Sequence, residues 1–259
     1  MKIKPAFIGT TILIAAAMFA VPTNSSGILR NLRNQDRPAY RPTGSEGVLT
    51  GRVSFIGKPP QPRRIDGSAD PVCEADNREL FTEDVIVKAG KLANVFVYVQ
   101  SGEALDWYVF DTPTTEVSLE HRGCQFIPRV LGMQTQQTLK ITNEDVTTHN
   151  THFMPKNNPD WNQSQPQDAT PLRHKFAATD VLIPVKCNQH PWEKAYVAVL
   201  PHPFFAVTAQ DGSYKISGLP PGQYTVVAWH ERFGEQRTEI AVGVTEKKNL
   251  DFSFKPSDN

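Results

Sequence analysis

The sequence is short of several things. It has only three cysteines and four methionines in 259 residues. It has no excess of charge: 27 Lys and Arg balance 27 Asp and Glu. Nucleic-acid binders usually carry a basic excess or stripe, so that class is disfavoured. No window combines the length and 3.6-residue periodicity of a core helix, which argues against a helical bundle. The run Trp229-His230-Glu231 lacks the second histidine of a zinc-protease motif, and no substrate-pocket motif is apparent.

What is present begins at the N-terminus. Lys2 and Lys4 precede an apolar run from Ala6 to Val21, with small residues near Ala17 and Ala20. A charged flank, a short apolar core and small residues read as an export signal over residues 1–21, either cleaved or kept as a membrane anchor. The run is short for a membrane span. No cysteine follows it, so lipid attachment through sulfur is not expected. Residues 22–46 are polar, contain proline and lack apolar periodicity; they read as a flexible arm. The chain is therefore expected in the periplasm or on the extracytoplasmic face of a membrane.

From there the chain reads as all-β. Val48 to Ile56 alternates apolar and polar residues, Leu92 to Val99 is a strong strand, and Glu116 to Glu120 a weaker one. Arg129 to Met133 and Thr138 to Thr142 flank a short polar turn. Val181 to Val185 and Ala195 to Leu200 bracket Cys187 and His190. Residues 59–84 form a polar excursion holding Cys73, and residues 155–172, dense in Asn, Gln, Asp and Pro, read as a loop. After residue 203, short strands recur between turns such as Asp211-Gly212, which suits a tight hairpin, and Pro220-Pro221-Gly222. The 21 prolines and 16 glycines fit this turn-rich design.

Three cysteines in an oxidising compartment leave one unpaired, and metal ligation would explain a retained thiol. His149 follows one predicted strand, and Cys187-Asn188-Gln189-His190 follows another. Two imidazoles and a thiolate presented by loops form a copper-selective set, and His₂Cys is the usual electron-transfer geometry. His152 stands as a ligand, an outer hydrogen-bond donor or an exposed residue. His121, His174, His202 and His230 have no interpretable spacing and read as ordinary turn or surface residues.

The runs Lys140-Ile141-Thr142-Asn143-Glu144-Asp145 through His149-Asn150, and Val185-Lys186-Cys187-Asn188-Gln189-His190-Pro191-Trp192, resemble the ligand segments of plastocyanin-like cupredoxins. They are similar to an exported bacterial subgroup whose loop continues His-Pro-Trp-Met. The resemblance implies a Greek-key β-sandwich over residues 47–203, one copper ion and single-electron transfer without catalysis. By the same resemblance His149, Cys187 and His190 are the equatorial ligands. Glu193 stands where the subgroup has methionine; it either ligates or turns outward, with Met154 as a substitute thioether. Zinc is the main competitor, because His₂CysGlu also satisfies a tetrahedral site. The resemblance further implies a Cys73–Cys124 disulfide, with Cys187 left for the metal. Trp192 either shields the site or packs at the core edge, and His190 at a loop tip would give electrons a short route. The implied partners are a protein redox donor and acceptor, with an accessory, metal-binding role in a cell-envelope complex as the alternative.

Residues 204–256 resemble carboxypeptidase regulatory-like, transthyretin-like β-sandwich modules. Gly51-Arg52-Val53 resembles the opening strand of the same module. Residues 47–58 therefore read either as part of the copper fold or as a strand of the C-terminal module.

Overall fold

The computed structural model describes residues 37–75 and 79–256. The predicted export segment and the arm up to residue 36 lie outside the described residues. Residues 38–46, read from sequence as arm, instead lie against the body. The Tyr40 N–H donates to the Val109 carbonyl at 2.7 Å. Its ring sits 5.2 Å from those of Tyr108 and Phe110. A half-buried aromatic side chain packed in this way holds the segment down, which a count of polar residues does not reveal. Among the described residues no helix is long and apolar enough to cross a membrane.

The described residues fold into four sheets. The first has the order β15 (Ser213–Leu219), β1 (Gly47–Phe55), β3 (Lys91–Leu92) and β2 (Val87–Lys88). Two short strands, β18 (Lys247–Asn249) and β19 (Phe252–Phe254), lie parallel to β1. The second has the order β14 (Phe205–Val207), β4 (Phe96–Gly102), β16 (Gly222–His230) and β17 (Gly234–Val242). The third runs β10 (Trp161–Gln165), β9 (His149–Phe153), β12 (Asp180–Lys186), β13 (Lys194–Leu200) and β7 (Val130–Gln134). The fourth runs β11 (Leu172–His174), β8 (Leu139–Asn143), β5 (Val117–His121) and β6 (Phe126–Ile127). Two five-residue helices, α1 (Pro71–Ala75) and α2 (Glu103–Trp107), complete the described elements.

Three apolar layers join these sheets. Leu49, Val53, Val97, Val99, Val226 and Phe252 belong to the core between the first and second. Phe96, Tyr98, Val130, Ala198 and Val227 pack the second against the third. Leu119, Met133, Ile141, Phe153, Val185 and Val197 fill the space between the third and fourth. Strands β4 and β13 serve two layers at once, so both faces are buried and their sequences are continuously apolar rather than alternating. Gly132 in β7 marks a close approach between the second and third sheets. A Cβ there would lie 2.5 Å from Phe205 and 2.7 Å from Phe96.

Of the two readings of residues 47–58, the strand pairing follows the second: β1 pairs antiparallel with β15 and parallel with β18 and β19, so residues 47–55 lie with the C-terminal strands. Strand β4, far from them in sequence, joins the same assembly through β14 and β16. Asp211-Gly212 does not close a two-strand hairpin: β14 and β15 belong to different sheets, and the turn carries the chain from one to the other. Residues 155–172 are not all loop, because β10 pairs with β9 from Trp161↔Phe153 to Gln165↔His149. An edge strand needs no alternating apolar face, and β10 has none to announce it.

Candidate metal centre

Two adjacent strands bring the predicted ligands together. β9 pairs with β12, with Val185 opposite Phe153 and Lys186 opposite His152. His149 opens β9, and residues 187–193 connect β12 to β13. That connection is pinned by its own backbone: the Glu193 N–H donates to the His190 carbonyl at 2.9 Å, and the Cys187 N–H to the Glu193 carbonyl at 3.2 Å.

His149, Cys187, His190 and Glu193 are all buried, and one donor atom from each lies within 4.8 Å of the others. The Nδ1 atoms of His149 and His190 stand 2.9 Å apart. Cys187 Sγ is 3.9 Å from His149 Nδ1 and 3.6 Å from His190 Nδ1. Glu193 Oε2 is 2.9 Å from His149 Nδ1 and 3.8 Å from His190 Nδ1. The Met154 backbone N–H donates to the Pro184 carbonyl at 3.0 Å.

The outer edge of each imidazole meets a carboxylate. His149 Nε2 lies 3.0 Å from Asp145 Oδ2, and His190 Nε2 lies 3.0 Å from Asp70 Oδ2. A neutral imidazole carries one N–H. With that hydrogen given to the carboxylate at Nε2, Nδ1 is left as a lone pair facing inward. Two such lone pairs at 2.9 Å repel unless a proton or a metal cation lies between them. The arrangement therefore fits a metal site. A thiolate, two imidazoles and a carboxylate are suitable ligands for copper or zinc.

The same geometry shifts the protonation of the metal-free site. Burial works to lower the pKa of His149, but Asp145, Cys187 and Glu193 outweigh it and raise it to about 11. Burial works to raise the Cys187 thiol, yet the neighbouring His149 and His190 bring it below its ordinary value. Burial also opposes ionisation of Glu193, and hydrogen bonds from His121 and His149 more than offset it, holding its pKa low.

Sequence reasoning missed His121. It is fully buried, with Nδ1 2.6 Å from Glu193 Oε1 and Nε2 2.9 Å from Thr151 Oγ1. Its ring stacks on His149 at 4.6 Å. The signal was available, because Leu119 and His121 share the inward face of β5 by strand alternation. His202 and His230 are also buried rather than superficial, and His174 packs among Phe153, Trp161 and Phe176. His152 is turned away from the cluster; its Nε2 pairs with Asp160 at 3.0 Å and its Nδ1 faces Asn188 at 3.4 Å. Glu193 does not turn outward, since its side chain has no solvent exposure. His190 is not at an exposed tip: it is 2% exposed and Asp70 covers its outer edge. Trp192 is half-buried, its ring 5.2 Å from that of His190 and its Nε1–H donating to the Cys124 carbonyl at 3.0 Å.

Cys73 and Cys124 form a disulfide, and Cys187 is free and buried.

Residues 186–255 match the carboxypeptidase regulatory-like domain, so the match begins at the metal-cluster loop and runs through the C-terminal strands. No curated protein matches the chain. Among solved structures, it is similar to a copper-containing nitrite reductase from Thermus scotoductus SA-01, at 21% identity and a TM-score of 0.30. That likeness covers 33% of this chain and only 22% of the reductase. A purple cupredoxin from Nitrosopumilus maritimus is 19% identical over 32% of this chain and 98% of its own, with a TM-score of 0.28. Amicyanin from Paracoccus versutus is 16% identical over 40% of this chain and 96% of its own, with a TM-score of 0.30. With TM-scores this low, the likenesses carry no argument about the chemistry.

Proposed function

We propose that this chain holds one copper ion through His149, Cys187, His190 and Glu193 and passes single electrons outside the cytoplasm, without catalysing a reaction of its own. The supporting observation is the convergence of four buried donors, with both imidazoles turned by carboxylates so that their lone pairs face one another. Copper bound there would supply a one-electron couple. The chain's contribution is to fix the ligands at the start of β9 and in the short connection between β12 and β13, and to exclude water. Phe153 in β9 and Val185 in β12 are buried in the packed core beside the cluster, which limits rearrangement when charge changes. The partners of such a carrier are a protein donor and a protein acceptor. A Greek-key arrangement of the third and fourth sheets, as in cupredoxins, belongs to the same proposal.

Metal analysis of the exported protein, with optical and EPR spectroscopy, tests this reading. One copper per chain with an intense sulfur-to-copper absorption is expected. Protein isolated without copper, and unable to take it up, would overturn it.

One observation favours a second reading, that of a metal-holding accessory subunit in an envelope complex. His190 has almost no exposed edge through which a partner could exchange electrons. Co-purification with a large complex, and no redox turnover with its components, would select this role.

A further inference from the structure

The two carboxylates that orient the ligand histidines come from distant parts of the chain, and both lead to the same disulfide. Asp70 lies on the excursion ahead of α1. Its Oδ1 accepts the Val72 N–H at 2.8 Å, capping the short helix that contains Cys73. Its Oδ2 accepts from His190 Nε2 at 3.0 Å and from the Thr147 hydroxyl at 2.7 Å. Asp145 lies in the turn before β9. Its Oδ1 accepts the Gly123 N–H at 2.6 Å, and its Oδ2 the Cys124 N–H at 2.9 Å. Gly123 and Cys124 are both left-handed, with φ of 63° and 56°, which points successive N–H groups toward one anion. The Cys124 carbonyl accepts from Trp192 in the cluster loop. Thus one half-cystine is tied to the Asp70 that orients His190, and the other to the Asp145 that orients His149.

We infer that the Cys73–Cys124 bridge is part of the metal-holding machinery, with Asp70 and Asp145 as the positioning residues through which it acts. It rests on the metal-binding reading above. The bridge closes a loop of sequence separation 51. Restricting an unfolded loop of this size would stabilise the fold wherever the bridge lay. The hydrogen bonds assign it something more local: it fastens the segment carrying Asp70 over His190. Both half-cystines are 4% exposed, so the bridge is a fixed brace shielded from thiols rather than a switch. It follows that the chain holds metal tightly only where disulfides persist.

The test uses the Cys73→Ser/Cys124→Ser double variant, which leaves no cysteine to exchange with Cys187. Asp70→Ala and Asp145→Ala are made with and without the bridge. Zinc affinity is measured by chelator competition at fixed pH, zinc being free of redox change. Loss of the bridge is expected to weaken zinc binding roughly 10–100-fold, the range seen when outer partners of ligand histidines are removed. Each Asp→Ala change should then weaken binding much less in the bridge-free protein than in the wild type, because the two act through one contact. Unchanged affinity without the bridge, or losses that multiply independently, would overturn the inference. A second readout needs no metal. In histidine-labelled metal-free protein, the Nε2–H protons of His149 and His190 should exchange slowly in the wild type and rapidly in the double variant. Slow exchange in both would overturn the inference while leaving the metal reading standing. Wild-type protein that binds neither zinc nor copper would instead remove the metal reading. Should the double variant fail to fold, the Asp70→Ala and Asp145→Ala proteins with the bridge intact decide: wild-type affinity in both would overturn the inference.

Discussion

His149 and His190 face one another through their Nδ1 atoms at 2.9 Å, each with its Nε2 held by a different aspartate. Hydrogen bonding on the outside fixes where the lone pairs point on the inside, and Cys187 and Glu193 complete the set. Replacing Cys187 with serine changes one atom in a buried position and only slightly reduces the volume. The variant should fold, lose the sulfur-to-copper absorption and bind copper more weakly than the Asp70→Ala or Asp145→Ala proteins. Optical titration with Cu(II) checks this; an unaltered spectrum would mean that the thiolate does not ligate.

His121 Nδ1 lies 2.6 Å from the far oxygen of Glu193, Oε1, with both side chains fully shielded from solvent. Without that donor a buried carboxylate loses a charge-assisted hydrogen bond and costs about 1–3 kcal/mol or more. His121→Leu should weaken metal binding by roughly tenfold or more and change the Cu(II) EPR spectrum. His121→Gln, whose amide can donate to the same oxygen, should recover most of both. Equal spectra for wild type and His121→Leu would reduce the residue to a core-filling role, visible only in thermal unfolding.

The clustered residues His149, Cys187, His190 and Glu193 could be picked out from the sequence because each lies in or beside a strand end within a short run, so local pattern carries the candidate site. The disulfide was implied by resemblance. Asp70 could not be found that way: its partner His190 is 120 residues away, and nothing near Asp70 marks it as an orienting carboxylate. The assignment of β1 was left open for a similar reason. Its alternation shows a strand with one buried face, but the choice of β15, β18 and β19 as neighbours is long-range. β10 was missed because its three middle residues, Asn162, Gln163 and Ser164, are exposed and polar and break any apolar alternation.

Two buried histidines remote from the cluster predict an acid limit to stability. Burial pushes His202 and His230 each down to a pKa of about 4. Each Nδ1 accepts a backbone N–H, from Phe204 at 3.2 Å and Arg232 at 3.1 Å, so both imidazoles are neutral when folded. The unfolded chain takes up protons near pH 6.5, before the folded one does. Stability therefore has no contribution from these groups above about pH 6.5 and falls as pH drops from there to about 4. Each group accounts for up to about 1.4 kcal/mol per pH unit in that window. Urea unfolding at pH 7 and pH 5 should show a smaller loss for His202→Asn/His230→Asn than for wild type. An equal loss would show that neither histidine sets the slope.

Glu193 offers the most direct handle on the redox couple. Its Oε2 faces the cluster, 2.9 Å from His149 Nδ1, while Oε1 is occupied by His121, so a single oxygen is available to a metal. A carboxylate oxygen is harder than a thioether and carries charge, and both properties favour Cu(II) over Cu(I). Glu193→Met restores the residue of the resembling subgroup and should raise the reduction potential. For a one-electron couple, each tenfold change in the relative affinity for the two oxidation states shifts it by about 59 mV. Removing a buried negative charge raises the potential even without coordination, so the potential alone does not prove a bond. A copper-loaded crystal structure supplies the second measurement, with a copper-to-Oε2 distance expected at about 2–2.5 Å. Glu193→Gln separates the two effects, because it removes the charge while keeping a neutral oxygen in place. Should the methionine variant match the wild-type potential at the same pH and ionic strength, with the native carboxylate beyond bonding distance, Glu193 would serve His121 and His149 as a hydrogen-bond partner and the copper would be held by three ligands.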